Sequence, residues 1–89
     1  MDTHIERQQV DGGGGRYVLL HDDQAIGELD YRDVDGQRVF THTGVRGPYE
    51  GQGLAARLVE RGVGDARAED REIVAQCWYV ARWLERNVG

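Results

Sequence analysis

The chain has 89 residues, 39% of them hydrophobic and 30% charged, with a formal net charge of −5 at pH 7. That length fits a single domain over residues 1–89. No apolar run is long enough to span a membrane, and the lone Cys77 excludes an internal disulfide framework. The charge balance has no basic run and argues against nucleic acid as a partner. All eleven basic residues are arginine, and the absence of serine excludes a serine nucleophile. The N-terminus, MDTHIERQQ, lacks the apolar stretch of a signal peptide, so a cytoplasmic protein is expected.

In chain order, Ile5–Val10 reads as a weak strand, and DGGGG at 11–15 as a loop, since glycine runs give no reason to hold regular structure. Arg16–His21 is apolar and strand-like, DDQ is a turn, and Ala25–Tyr31 alternates. Ala25, Gly27, Leu29 and Tyr31 share one face of that strand; Glu28 and Asp30 share the other. Asp35-Gly36 is a two-residue hairpin signal leading into a strand at Gln37–Val45. The first half therefore predicts an antiparallel meander of three or four strands. A helix follows from about Gln52 to Ala68, with Leu54, Ala55, Leu58, Val59, Val63 and Ala66 at helical spacing. Gly62 and Gly64 inside it would permit close packing on the sheet. Glu72–Gln76 reads as a short buried strand and Trp78–Asn87 as a second helix with Val80, Trp83 and Leu84 on its apolar side. Strands, helix, strand, helix make an α+β, or mixed α/β, domain.

Between the long strand and the first helix lies RGPYEGQGLAARLVE, with Gly47, Gly51 and Gly53 close together. A helix N-terminus leaves backbone N–H groups unpaired at the positive end of the helix dipole, and glycine lets a phosphate approach the backbone. The structural alternative is a plain tight turn. A P-loop would require Gly-Lys-Ser/Thr, and the chain has no Lys or Ser. A dinucleotide fingerprint matches at Gly51, Gly53 and Ala56. It should open a βαβ unit with an acid after the next strand, whereas here an antiparallel meander precedes it and Gln76-Cys77 ends that strand.

A third pattern fits better. PYEGQGLAARL at 48–58 resembles the pyrophosphate loop of the GNAT superfamily of coenzyme A-dependent N-acetyltransferases, Gln/Arg-x-x-Gly-x-Gly/Ala. With THTGV at 41–45, GQGLAARLV at 51–59 and CWYV at 77–80, the chain resembles the small single-domain GNAT-type subfamily that carries a cysteine at the acetyl site. The resemblance runs from about Tyr17 to Asn87. It departs at Pro48, where Gln or Arg is usual, and at Glu50, where a basic residue is common and whose charge would face the pyrophosphate. Arg46 and Ala75 stand where the subfamily often has proline.

The resemblance implies a GNAT-like fold and an acetyl-CoA site formed by Thr43, Val45, Gly51, Gln52, Gly53, Leu54 and Ala55. The backbone of the strand ending at Val45 would bind and polarise the acetyl carbonyl. Cys77 would lie beside the acetyl group. Its place at a helix start also favours the thiolate, while a buried packing thiol is the alternative reading. A thiolate there would attack the thioester to give acetyl-Cys77, from which an amine takes the acetyl; the competing route is direct amine attack with a base such as Glu28 or water. Tyr79 would donate a proton to the leaving thiolate or pack between helix and sheet. Trp78 and Trp83 would flank a pantetheine arm or anchor the helix. His4, His21 and His42 show no metal-ligand spacing, His42 is expected to make a structural hydrogen bond, and RAEDRE at 67–72 to be a solvated helix end. The implied function is acetyl transfer from acetyl-CoA to an unidentified amine. Because so short a chain leaves little to enclose an acceptor, that amine is expected on a macromolecule, or the chain is a non-catalytic acyl-CoA-binding module with a protein partner.

Overall fold

The computed structural model describes residues 2–87. Four antiparallel strands come first: β1 (Thr3–Val10), β2 (Gly14–His21), β3 (Gln24–Val34) and β4 (Gln37–Val45). A 3-10 turn at Gly47–Tyr49 leads to α1 (Leu54–Ala68), then β5 (Glu72–Ala75) and α2 (Trp78–Arg86). The sheet order is β1-β2-β3-β4-β5, with β5 parallel to β4. The mixed α+β architecture and its meander agree with the sequence pattern. The hairpin at Asp35-Gly36 has positive φ at both residues (50° and 81°), the geometry that Asp-Gly supplies at low cost.

Both helices feed a single core. Leu54, Leu58, Val59, Val63 and Ala66 of α1 and Val80 of α2 are buried with Tyr17, Leu19, Leu29, Tyr31 and Phe40 of the sheet. Each fully buried Leu, Val or Phe contributes about 1.5–3 kcal/mol. α1 can approach closely because of Gly62: a Cβ there would lie 2.6 Å from Leu29 Cδ2 and 3.0 Å from Phe40 Cε1. Gly64 has no such role, as nothing lies within 4 Å of the corresponding position.

Two irregularities set the side-chain facing. Between β2 and β3 the register shifts at Leu19/Leu20, and Ile26 falls in the shift. Ile26 is therefore fully buried while Ala25 is exposed, against the simple alternation expected of this strand. Between β3 and β4, Tyr31 pairs with Phe40 and Asp30 with His42, so Thr41 is an extra residue. Phe40 and Thr43 thus share the helix-facing side, and His42 and Gly44 turn to the other face.

The glycine loop expected at 11–15 is shorter than predicted. Gly14 and Gly15 belong to β2, paired with both β1 and β3. The Tyr31 ring occupies the space a Gly15 side chain would need, so glycine is used here for packing and not for a turn.

The sheet end where β4 and β5 pair is closed by charge. Arg38 is 1% exposed and donates to Asp33 Oδ1 (2.7 Å) and Oδ2 (2.9 Å) and to Glu69 Oε1 (2.9 Å). Its guanidinium lies 4.6 Å from the Tyr31 ring centroid. Arg7 donates to Glu69 Oε2 (2.6 Å) and to Tyr31 Oη (3.1 Å). Arg7 and Arg38 together hold the Glu69 carboxyl down to about 2, and Arg38 holds Asp33 below the usual carboxylate range. The segment at 67–72 is the solvent-exposed helix end expected, with only Arg71 half-buried, and its Glu69 in addition ties the end of α1 to Arg7 and Arg38.

Candidate functional site

At the other end the sheet opens. β4 and β5 pair only over Gln37–Phe40 and Glu72–Ala75. Gln76 N–H and Cys77 N–H then both donate to Phe40 O, each at 3.0 Å, which turns the chain out of the sheet and into α2. Thr41–Val45 continues past the last residue paired with β5, and α1 and α2 begin on either side of the gap.

The start of α1 is built by glycine. Gly51 and Gly53 have φ of 80° and 76°, and Gly53 is the N-cap residue. Other L-residues adopt that left-handed conformation with strain. Gly53 has no side chain to cap the helix, and the first turn has no acid. The leading N–H groups of α1 therefore point outward without a side-chain acceptor, an arrangement that suits an anion. The helix starts at Leu54, later than the Gln52 expected, because Gly53 must first take the left-handed turn.

Three adjoining cavities follow from this opening. One, of about 270 Å³, lies against Gly51, Gly53, Leu54, Ala55 and Val45. The second, about 440 Å³, extends past Thr43, Gly44 and Trp78. The third, about 370 Å³, lies between Ala56 and Glu60 of α1 and Arg82, Trp83 and Arg86 of α2. Tyr79 borders all three. Glu50 borders the first two and brings a negative charge to their mouth.

Cys77 is the N-cap residue of α2 and is partly buried. Its Sγ lies 3.5 Å from Thr43 Oγ1, across the gap between the strands. Burial pushes the thiol up, but the Thr43 hydroxyl and the backbone N–H groups of Val80, Tyr79 and Thr43 outweigh it. The net result is a thiol below the ordinary cysteine value. On the outer face, Glu28 Oε2 and His42 Nε2 are 2.8 Å apart. Glu28 stands opposite Gly44 in register and leans across it, where any side chain would collide with its carboxylate. His42 thus makes the hydrogen bond expected of it, with a partner distant in sequence.

Of the residues the sequence singled out, Val45, Gly51, Gly53, Leu54 and Ala55 meet around one cavity; Thr43 lines the second and lies beside Cys77, which itself lines none of the three. Gln52 is exposed and lines none of the three. Tyr79 packs on the core, the second of its two readings, and also borders the cavities. Trp78 is 73% exposed beside Thr43 and Gly44, whereas Trp83 packs against the core. The walls formed by Glu60, Arg82 and Arg86 carried no motif that would have marked them. Among the described residues no group of three or more His, Cys, Asp or Glu could hold a metal ion, and no helix is long and apolar enough to cross a membrane.

Solved structures share this architecture. An IAA acetyltransferase from Bacillus cereus superposes with a TM-score of 0.75 at 13% identity, over 96% of this chain and 75% of that one. A GNAT family acetyltransferase from Elizabethkingia anophelis, with acetyl-CoA bound, gives 0.75 at 12% identity, over 98% and 74%. A ribosomal-protein-alanine N-acetyltransferase from Brucella melitensis gives 0.68 at 17% identity, over 86% of this chain and 62% of its own. At these identities the likeness is one of fold. No curated protein matches the chain in sequence. The model of the GCN5-related N-acetyl-transferases matches residues 16–88, most of the chain. With the opened β4–β5 pair and the glycine-started helix beside it, the chain belongs to the GCN5-related N-acetyltransferases.

Proposed function

We propose that the protein transfers acetyl from acetyl-CoA to an amine through an acetyl-Cys77 intermediate. The observation that carries this is the position of Cys77: a thiol held below its ordinary value, 3.5 Å from Thr43, which lines a cavity reaching Ala55 in the uncapped first turn of α1. Acetyl-CoA fits the donor set. The leading N–H groups of α1 and the dipole behind them suit the pyrophosphate, and the backbone between Thr43 and Val45 suits the pantetheine and acetyl carbonyl. Glu50 at the mouth weakens that site and lowers its affinity.

The cofactor supplies an activated acetyl group as a thioester. Cys77 Sγ attacks the carbonyl carbon; its new C–S bond replaces the bond to the departing thiol, which takes the Tyr79 hydroxyl proton. One thioester is exchanged for another, so the step is nearly neutral in energy. In the second step water takes the first proton of an ammonium group. The neutral amine then attacks acetyl-Cys77, its second proton returns to Tyr79, and Cys77 leaves as the thiolate. The cavities are open to solvent, which suits an amine carried on a macromolecule.

Denaturing intact-mass spectrometry after incubation with acetyl-CoA tests the proposal, with wild type and Cys77→Ala compared. The chain has no Lys or Ser to collect stray acetyl groups, so the N-terminal amine is the main background. One added acetyl in wild type alone, discharged by added amines, is the expected result. Cofactor binding without any adduct and with no transfer to amines would leave a binding module and overturn the transferase reading.

A further inference from the structure

We infer that Arg82 and Arg86 form a subsite for the 3′-phosphate of coenzyme A, so that the protein distinguishes the 3′-phosphorylated cofactor from its dephospho form. The inference rests on the cofactor reading above and extends it to a part of the molecule that neither the glycine loop nor Cys77 addresses.

Three observations support it. The three cavities share Tyr79, and the start of α1 lines the one that also adjoins the Thr43 cavity through Val45, Glu50 and Ala55. Coenzyme A is likewise a three-part chain, with an acyl-pantetheine arm, a pyrophosphate and a phosphorylated adenosine. With the pyrophosphate at Gly51–Ala55 and the acyl arm directed toward Thr43 and Cys77, the remaining cavity is left for the adenosine end. That cavity is also the basic one. Arg82 and Arg86 lie one helical turn apart on α2, so their side chains share a face. At the closed end of the sheet Arg7, Arg38 and Arg71 are all matched with carboxylates. Arg82 and Arg86 have no carboxylate within ion-pair distance among the described residues. A phosphate monoester is the anion that a pair of guanidinium forks suits best.

The third observation is the wall between the two arginines. Tyr79 and Trp83 present aromatic surface to the same cavity, and a purine gains from stacking on such surface. Glu60, on the opposite wall, is the cavity's acid. Two cations against one anion leave the subsite net positive within a chain whose overall charge is −5.

The test is calorimetric titration with coenzyme A and with 3′-dephospho-coenzyme A, on wild type, Arg82→Ala/Arg86→Ala and the conservative Arg82→Lys/Arg86→Lys. Wild type should bind the phosphorylated form roughly tenfold more tightly, the scale of one exposed charge-assisted contact. The alanine variant should bind both forms equally, near the wild-type level for the dephospho form, and the lysine variant should recover part of the preference. The preference should shrink in 1 M salt. A circular-dichroism melt of each variant confirms folding, and Arg67→Ala, outside the cavity, should leave the preference unchanged. Equal wild-type binding of both forms would overturn this inference alone. An alanine variant that keeps the preference would overturn it too. Failure of wild type to bind either form would overturn the cofactor reading and this subsite with it.

Discussion

The two ends of this sheet treat the same kind of group in opposite ways. At the closed end β4 and β5 are paired, and Arg7, Arg38, Asp33 and Glu69 are ion-paired with one another, although Arg38 Nη1 is buried without a hydrogen-bond partner. At the open end the strands part, and the leading N–H groups of α1 point outward with no side chain to accept them. The fold is anchored at one end so that the other can leave polar groups available for a ligand. Stability and binding should therefore be separable by mutation.

The largest effect should come at the closed end. Arg38→Ala leaves Asp33 largely buried without its main partner and should cost about 3–5 kcal/mol, read by urea unfolding. Coenzyme A affinity of the folded variant should change little. An equal loss of affinity would show that the two ends are not independent. Next is Gly53→Val, which forces a β-branched residue into φ of 76°. It should cost roughly 1–3 kcal/mol through backbone strain, but lower coenzyme A affinity by more than its destabilisation implies.

Acid tests the closed end without mutation. Glu69 titrates near 2 in the folded protein against an ordinary 4.5, so the unfolded chain binds more protons as pH falls between these values. Its contribution is present above about 4.5 and should fade toward pH 2, seen as a falling urea midpoint. Glu69→Gln should flatten that limb. The effect should be smaller than that of Arg38→Ala, because the Glu69 side chain is 39% exposed and water screens it. The smallest change is Thr43→Val. Removing the hydroxyl should move the midpoint of Cys77 alkylation upward in pH while leaving the melting temperature nearly unchanged.

The sequence displayed the open end more plainly than the closed one. Its chemistry is local: Gly51 and Gly53 before a helix pattern, and a cysteine before a second helix, can be read within a few positions. The resemblance to acetyltransferases came from the same short stretches. The closed end is built from residues far apart in the chain, such as Arg7 and Glu69 or Arg38 and Glu69, whose spacing obeys no local period. For the same reason RAEDRE, solvent-facing as read, gave no sign that its Glu69 pairs with Arg7 and Arg38. Ile26 and Ala25 were exchanged because a register shift resets alternation, and nothing in the residue pattern marks where a shift falls. Arg82 and Arg86 lay in a helix that already had an apolar side, so their common cavity became visible only with α1 alongside.

The extra residue at Thr41 has a further consequence. It works as a frameshift in space: the residues before it are read on one face of β4 and those after it on the opposite parity. Through it Phe40 and Thr43 both face the helices, and His42 and Gly44 face away. Were Thr41 instead taken into regular pairing, with no residue left over, Thr43 and Val45 would turn away from Cys77 and His42 would come beneath the helices. The strand would keep its whole sequence, while the arrangement of groups around the thiol would be turned inside out.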